Sequence, residues 1–588
     1  MFEQVLDPVG GSLGLSALCA VLPLLTLFVL LGALRVKAWI AGLSALLVAL
    51  LVAVLLFSMP VGQALLSAGE GAAFGFFPIL WIVINAIWVY NLTVLTGHFD
   101  VLRRSFEKVS PDTRVQAIII AFCFGALLEA LAGFGTPVAI TVVMLMTLGF
   151  TPLKSASLAL IANTAPVAYG ALASPIVTLA SVSSGANDDS RLTLETLGAM
   201  VGRQTPILAV IVPLILVFVA DGKRGLRETW VPALTAGIAF AIAQFVASNY
   251  ISVPLTDIVA ALVAAGAVVA VTRVTKPART DALTARVGAG AAVGATGGAA
   301  AGAGATAGTE LGDRPGSQRA HDEHSPLAGG RGDGPVHDSR ADVFKAYAPY
   351  LIIVVIFSIT NITAVKTALS TAPWTYKFAW PGLHVFAPGA TDPISTTTFN
   401  FNWFPAAGTL LIISGILTAL VLRISPGRAL AAMGRTYAEL KWAIVTVMAV
   451  LALAYVMNLS GQTASLGAFL AGTGAFFAFL SPVLGWIGVA VTGSDTSANA
   501  LFGALQVQTA AGAGLDPVLL AAANTSGGVL GKMVSPQNLA IAAAAVGMAG
   551  KEGELFRKVA GWSLCLLLFM CVIVVLQSTS VLGWMVPG

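Results

Sequence analysis

The chain has 588 residues, of which 57% are hydrophobic and only 10% charged, with a formal net charge of +4. A soluble domain carries about 25% charged residues. This chain therefore lacks the polar surface to cover a globule in water, and with a mean hydropathy of +0.89 its solvent is lipid. No basic domain or nucleic-acid motif is present, which excludes nucleic acid as a partner.

In chain order, Glu3 and Asp7 stand where a signal peptide would carry positive charge, and no small-residue cleavage site follows. The first apolar run is thus expected to stay as a membrane span. Apolar runs follow near 13–31, 36–57, 78–97, 115–131, 205–220, 230–250, 256–273, 345–364, 405–423, 442–460 and 559–580. Two further stretches, 132–183 and 465–549, are apolar but interrupted by Gly, Pro, Asn and Ser. At about 20 residues per crossing, this predicts an all-α polytopic membrane protein of about 12–14 transmembrane helices. The expected divisions are N-terminal helices with an interfacial segment (1–77), a first repeat with broken helices (78–220) and connecting helices (221–276). A linker (277–342), helices with an outside aromatic loop (343–441) and a second repeat with the final helix (442–588) complete the chain.

Residues 277–342 are rich in Gly and Ala and then mixed in charge. That composition cannot bury a core and reads as a disordered linker. Lys and Arg mark cytoplasmic loops. They cluster at Arg35/Lys37, Arg103/Arg104/Lys108/Arg114, Lys223/Arg224/Arg227, Arg423/Arg428/Arg435/Lys441 and Lys551/Arg557/Lys558. The N-terminus, the loop at 183–199 and the aromatic loop at 366–403 then fall outside, and the linker falls in the cytoplasm. Trp39, Trp230, Trp442 and Trp562 each follow a basic loop, where interfacial anchors belong.

A pattern recurs in the two halves. VYNLT (89–93), GFGTP (133–137), ANT (162–164) and SP (174–175) are answered by VMNLS (456–460), GSDTS (493–497), ANT (523–525) and SP (535–536). Asn163 to Ser174 and Asn524 to Ser535 both span eleven residues. The charge rule makes the Asn91 and Asn458 helices run in opposite directions, so two inverted-topology repeats with broken helices or re-entrant hairpins are expected. In secondary transporters of that design the substrate and ion sites lie where helices break. Gly133, Gly135, Gly493 and Gly528 are the expected backbone breaks. Thr136, Asn163, Thr164, Ser174, Thr496, Asn524, Thr525 and Ser535 are the polar side chains that re-pair freed backbone or hold substrate. Half-helix N-termini at such breaks attract a carboxylate.

Three ionisable residues have no counterpart in the opposite repeat: Glu129, Asp495 and Lys532. A charge at mid-membrane costs at least about 2.5–3.5 kcal/mol and usually serves a function. Glu129 or Asp495 is the candidate proton carrier. Lys532 has two readings, as partner of the substrate carboxylate or as partner of Asp495. Glu70 lies in surroundings that look interfacial, and Lys154 and Arg203 read as loop charges flanking the breaks. The four cysteines sit in apolar stretches without zinc spacing and read as buried free thiols. No metal site and no cofactor are expected.

The segments 127–140 (LLEALAGFGTPVAI), 158–176 (LALIANTAPVAYGALASPI), 491–506 (VTGSDTSANALFGALQ) and 524–542 (NTSGGVLGKMVSPQNLAIA) resemble the lactate permease family. The resemblance takes in the whole chain except the linker, which is not expected in the family core. It implies a bacterial inner-membrane symporter, not an enzyme, that brings in L-lactate, glycolate and related 2-hydroxymonocarboxylates with protons. The partners it implies are a small monocarboxylate, protons and the bilayer. The rival readings are a sodium-coupled carrier of another organic anion and a membrane-embedded enzyme.

Overall fold

The computed structural model describes residues 1–107, 109–133, 135–187, 189–275 and 338–588. Among these, ten helices are long and apolar enough to cross a membrane, from Leu13–Ala33 to Glu552–Gln577. An eleventh results if the bent pair Pro152–Ala162 and Val167–Ser183, angled at 63°, is one span. The chain is an all-α polytopic membrane protein. The lower count than the sequence predicts comes from how interrupted helices are divided. Leu194–Ile251 is 58 residues long, which at 1.5 Å per residue is about 87 Å, against a hydrocarbon core of about 30 Å. It folds back on itself. Asp221, Gly222 and Thr229 leave helical geometry, Gly237 lies against Val210, and Gly202 lies against Ser248. This hairpin supplies two of the predicted spans, 205–220 and 230–250.

The stretch 465–549 is less broken than its composition suggests. It contains Gly474–Thr492, long enough to cross, followed by Asp495–Ala513 and Pro517–Gly531. In the last of these every residue from Val518 to Gly531 is buried. It is apolar all round because it touches protein instead of lipid. Gly485, Gly527 and Gly531 bring it against Phe477–Thr492 so closely that a Cβ on any of them would strike the facing backbone. Small residues allow such approach where no hydrophobic force draws membrane helices together. Leu18, Leu25, Leu47 and Leu55, on the N-terminal helices, are exposed instead, as a lipid-facing surface requires.

Both halves repeat one order of elements. In the first, Gly125–Ala132, a glycine break, Thr136–Thr147, Pro152–Ala162, a second break and Gly170–Ser183 follow one another. In the second, the order is Phe477–Thr492, a glycine break, Asp495–Ala513, Pro517–Gly531, the turn Lys532–Val534 and Pro536–Ala545. The packing is reciprocal: Gly170–Ser183 lies on Asp495–Ala513, and Pro536–Ala545 lies on Thr136–Thr147.

Strand Tyr376–Ala379 pairs antiparallel with Thr398–Phe401, and Phe2–Glu3 pairs parallel with Val385–Phe386. The N-terminus and the aromatic loop therefore share one side of the molecule. At the other end of the linker assignment, a helix begins at Arg340, inside the segment 277–342. Ser339 caps it, with its Oγ accepting from the Asp342 amide at 3.1 Å, and Asp338 pairs with Arg104 at 2.6 Å. The remainder of the linker assignment, with Lys108, Phe134 and Asp188, lies outside the described residues. Glu70 is fully buried within the protein. Cys123 and Cys571 are buried free thiols, whereas Cys565 is exposed.

Candidate functional site

The breaks of both halves meet around one cavity of 490 Å³. Its floor holds Glu129, Asp495 and Lys532, which are 3%, 3% and 7% exposed. Its mouth holds Lys37, Trp39 and Trp442, with Trp442 50% exposed. The two indoles stack at 4.8 Å between ring centres.

Each floor residue is delivered by a break. Glu129 lies in the last turns of Gly125–Ala132, which ends because Gly133 and Gly135 take positive φ of 38° and 86°; L side chains rarely adopt that region. Asp495 is the first residue of Asp495–Ala513. Gly493, at φ 76°, ends the preceding helix, and Ser494 caps the next by accepting from the Ser497 amide at 3.3 Å. Lys532 opens the turn that follows Pro517–Gly531. On the facing wall, Ala171, Leu172 and Ala173 hold φ of 43°, 53° and 61°. A left-handed residue other than glycine costs about 1–2 kcal/mol, so the surrounding packing must hold this turn. It sets Gly170 against Glu129, where a Cβ would stand 2.9 Å from Oε1, and it leads into the helix beginning near Ser174 and Pro175.

Lys532 Nζ lies 2.6 Å from Glu129 Oε1. This corrects the reading that pairs Lys532 with Asp495, and the physical reason is the tertiary approach of the two halves at their breaks. Asp495 is left with both carboxylate oxygens unpartnered among the described residues, and Glu129 Oε2 is unpartnered too. The helix starts at Ser174–Pro175 and Ser494–Ser497 both reach the cavity. The floor of the site thus offers one buried ammonium, with two helix N-termini, the hydroxyls of Ser174, Thr492, Thr496 and Ser497, and two carboxyl groups with free oxygens. In chemical terms such an arrangement can receive a small anion beside groups able to hold protons.

Of the residues singled out in the sequence, Glu129, Gly133, Ser174, Gly493, Asp495, Thr496 and Lys532 line the cavity. The others are placed behind it. Asn524 Nδ2 and Thr525 Oγ1 both donate to Asn499 Oδ1, at 2.9 and 3.0 Å. Asn499 in turn donates to the Pro175 carbonyl at 3.0 Å, tying the second half to the first. Ser535 caps Pro536–Ala545. Thr164 Oγ1 donates to the Ile161 carbonyl at 2.7 Å, Asn163 ends Pro152–Ala162, and Thr136 opens the helix after the first glycine break. Gly135 abuts Asn538 and Ile541, and Gly528 lies so close to Asp495 Oδ1 that a Cβ would collide with it. These residues build the breaks; they do not face the cavity.

Sequence reasoning passed over Gly170, the mouth residues and Asp257. Trp39, Trp442 and Lys37 carried a signal, as interfacial and basic residues, but none for convergence. Asp257 carried the same signal as Glu129, a carboxylate inside a predicted span, and it is fully buried.

The L-lactate permease family model matches residues 16–581. The chain is 40% identical over 595 residues to the glycolate permease of Escherichia coli, covering 100% of this chain and 99% of that protein. It is 39% identical over 602 residues to the L-lactate permease of Bacillus subtilis and to that of Escherichia coli, each match covering 100% of both chains.

Proposed function

We propose, from the premise that this chain belongs to the L-lactate permease family, that it carries L-lactate, glycolate and related 2-hydroxymonocarboxylates across the bacterial inner membrane in symport with protons. That it is a multi-pass permease and not an enzyme follows from the family and from its relatives. The substrate class comes from those relatives; the coupling rests on the Glu129–Lys532 ion pair at the floor of the cavity.

A substrate carboxylate that takes Lys532 leaves Glu129 without its cation. A bare buried carboxylate costs several kcal/mol, so Glu129 must then hold a proton. The empty site (Lys532 ammonium, Glu129 carboxylate) and the fully loaded site (Lys532 ammonium, substrate carboxylate, protonated Glu129) have the same net charge. Substrate alone adds −1, and a proton alone adds +1. Closing the site removes water and raises the cost of either imbalance, so only the empty and fully loaded forms change face. This gives one proton per monocarboxylate. The helix starts at Ser174 and Ser494–Ser497 support the carboxylate, and the cavity hydroxyls suit a 2-hydroxyl group.

The reciprocal packing of the two halves supports inverted repeats and alternating access. By the basic-loop rule the mouth at Lys37 and Trp442 is cytoplasmic, which makes this conformation inward-facing and puts the N-terminus outside. The test is uptake of radiolabelled L-lactate into proteoliposomes under an imposed pH gradient, with and without sodium. Accumulation driven by inward protons and indifferent to sodium is expected. A requirement for sodium, or uptake that ignores the pH gradient, overturns the coupling.

A further inference from the structure

Asp257 lies in the first turn of Thr256–Thr275 and is fully buried. It does not line the cavity. Its helix packs against Gly125–Ala132, which carries Glu129, and against the hairpin that ends at Val246. Oδ1 receives one long hydrogen bond, from Gln244 Nε2 at 3.5 Å, and Oδ2 has no partner among the described residues. Gln244 Nε2 also donates to the Ala165 carbonyl inside the first half's break at 3.3 Å, and Gln244 Oε1 accepts from Thr205 at 3.2 Å. Among the described residues, the charged groups whose fields reach Asp257 are Glu129 and Lys532. Tyr169 is a further titratable neighbour, and its hydroxyl donates to the Gly198 carbonyl at 2.7 Å.

Three carboxylates therefore share one ammonium in this core. The ammonium is committed to Glu129, and a third buried carboxylate with an unpaired oxygen has no electrostatic support as an anion. An O–H on Asp257 satisfies that economy. Its position gives the proton a direction. Asp257 stands at the N-terminal end of its helix, where Thr256 Oγ1 donates to the Ser252 carbonyl and Ser252 Oγ accepts from Asn361 at 3.2 Å. None of these residues lines the cavity whose mouth is at Lys37 and Trp442. We propose that Asp257 is a second proton-holding carboxylate, which receives protons from the face opposite the cavity mouth and passes them to Glu129 by a route distinct from that of the substrate.

This inference rests on the proton-coupled reading above, and one experiment separates the two. Wild-type protein and Asp257→Asn are reconstituted, and two rates are read: lactate accumulation driven by a pH gradient, and lactate counterflow at equal pH on both sides, which needs no net proton movement. If the wild type itself does not respond to the gradient, the coupling reading fails. Given a wild-type response, Asp257→Asn is expected to lower gradient-driven uptake at least about tenfold and to flatten its pH profile. Counterflow should stay within about twofold of wild type. Gradient-driven uptake and pH profile like wild type, or an equal loss of both rates in protein that elutes as a single species, overturns the role of Asp257 alone. Asp257→Glu keeps the carboxyl and carries the test if the Asn variant does not insert. A shifted midpoint of the pH profile with counterflow retained supports the relay, and an unmoved midpoint overturns it.

Discussion

At the scale of single residues, the Glu129–Lys532 pair makes the sharpest demands. Removing one member of a buried pair leaves an uncompensated charge and costs about 3–5 kcal/mol, whereas removing both restores neutrality. Glu129→Gln and Lys532→Gln should each lower the thermal unfolding temperature in detergent, and the double variant should recover most of the loss. A double variant as unstable as the sum of the singles would falsify the pairing as the energetic unit. Function should divide differently. Glu129→Gln frees Lys532 at every pH, so lactate binding measured by titration should lose its pH dependence while uphill accumulation disappears. Gly170 provides a gentler probe. A methyl there would press on Glu129 Oε1, so Gly170→Ala should cut gradient-driven uptake by about tenfold or more, with little change in unfolding temperature. Wild-type uptake by this variant would mean that Glu129 moves freely and is not held by the wall. The sequence made Glu129, Asp495 and Lys532 visible because a charge in an apolar run is conspicuous. It could not say that Lys532 faces Glu129, because the two are 403 positions apart.

At the scale of elements, helix breaks and close helix contacts carry the architecture. Gly485 sits against the Asn524 backbone, in the contact between Phe477–Thr492 and the fully buried Pro517–Gly531. Overpacking of this kind costs about 1–3 kcal/mol, so Gly485→Ala should lower the unfolding temperature and leave the substrate affinity of the folded fraction unchanged. Retained stability would show that these helices can separate without penalty. The glycine breaks were legible from GFGTP and GSDTS, since glycine and proline end helices by their own backbone chemistry. The left-handed turn at Ala171–Ala173 was not, because nothing in alanine or leucine asks for positive φ; the neighbouring elements impose it. The roles of Asn524 and Thr525 were legible only in part. Their polarity marks a break region, but their donation to Asn499, and its donation to Pro175, belong to the meeting of two halves.

At the scale of the whole molecule, orientation and inter-loop contacts can be read directly. Thr446 lines the cavity between Trp442 and Val447. In a background without native cysteines, Thr446→Cys should react with a membrane-impermeant thiol reagent from the cytoplasmic side, and lactate should slow the reaction. Labelling from the outer side only would reverse the assignment of the mouth. Away from the membrane core, Arg191 bridges Asp189 at 2.7 Å and Asp516 at 2.9 Å, joining the loop before Leu194 to the start of Pro517–Gly531. The Arg191 guanidinium holds the Asp189 carboxyl below its ordinary range. A depressed folded value means stabilisation that is present above the unfolded value of about 3.9 and lost as pH falls through the lower folded one. The bridge should therefore contribute a constant amount to the unfolding temperature between about pH 7 and 5, and give an acid loss below about pH 4 that Arg191→Ala reduces. An acid limb identical in the variant would remove the bridge from the account. By itself the sequence determined the solvent, the helical class, the family and the positions of the breaks, because hydropathy, glycine, proline and stray charges act locally or through composition. Only the tertiary structure decided which breaks meet, which carboxylate takes the lysine, and that the helix of Asp257 packs on the helix of Glu129. Those facts depend on groups hundreds of residues apart sharing one low-dielectric space, and no local pattern encodes that distance.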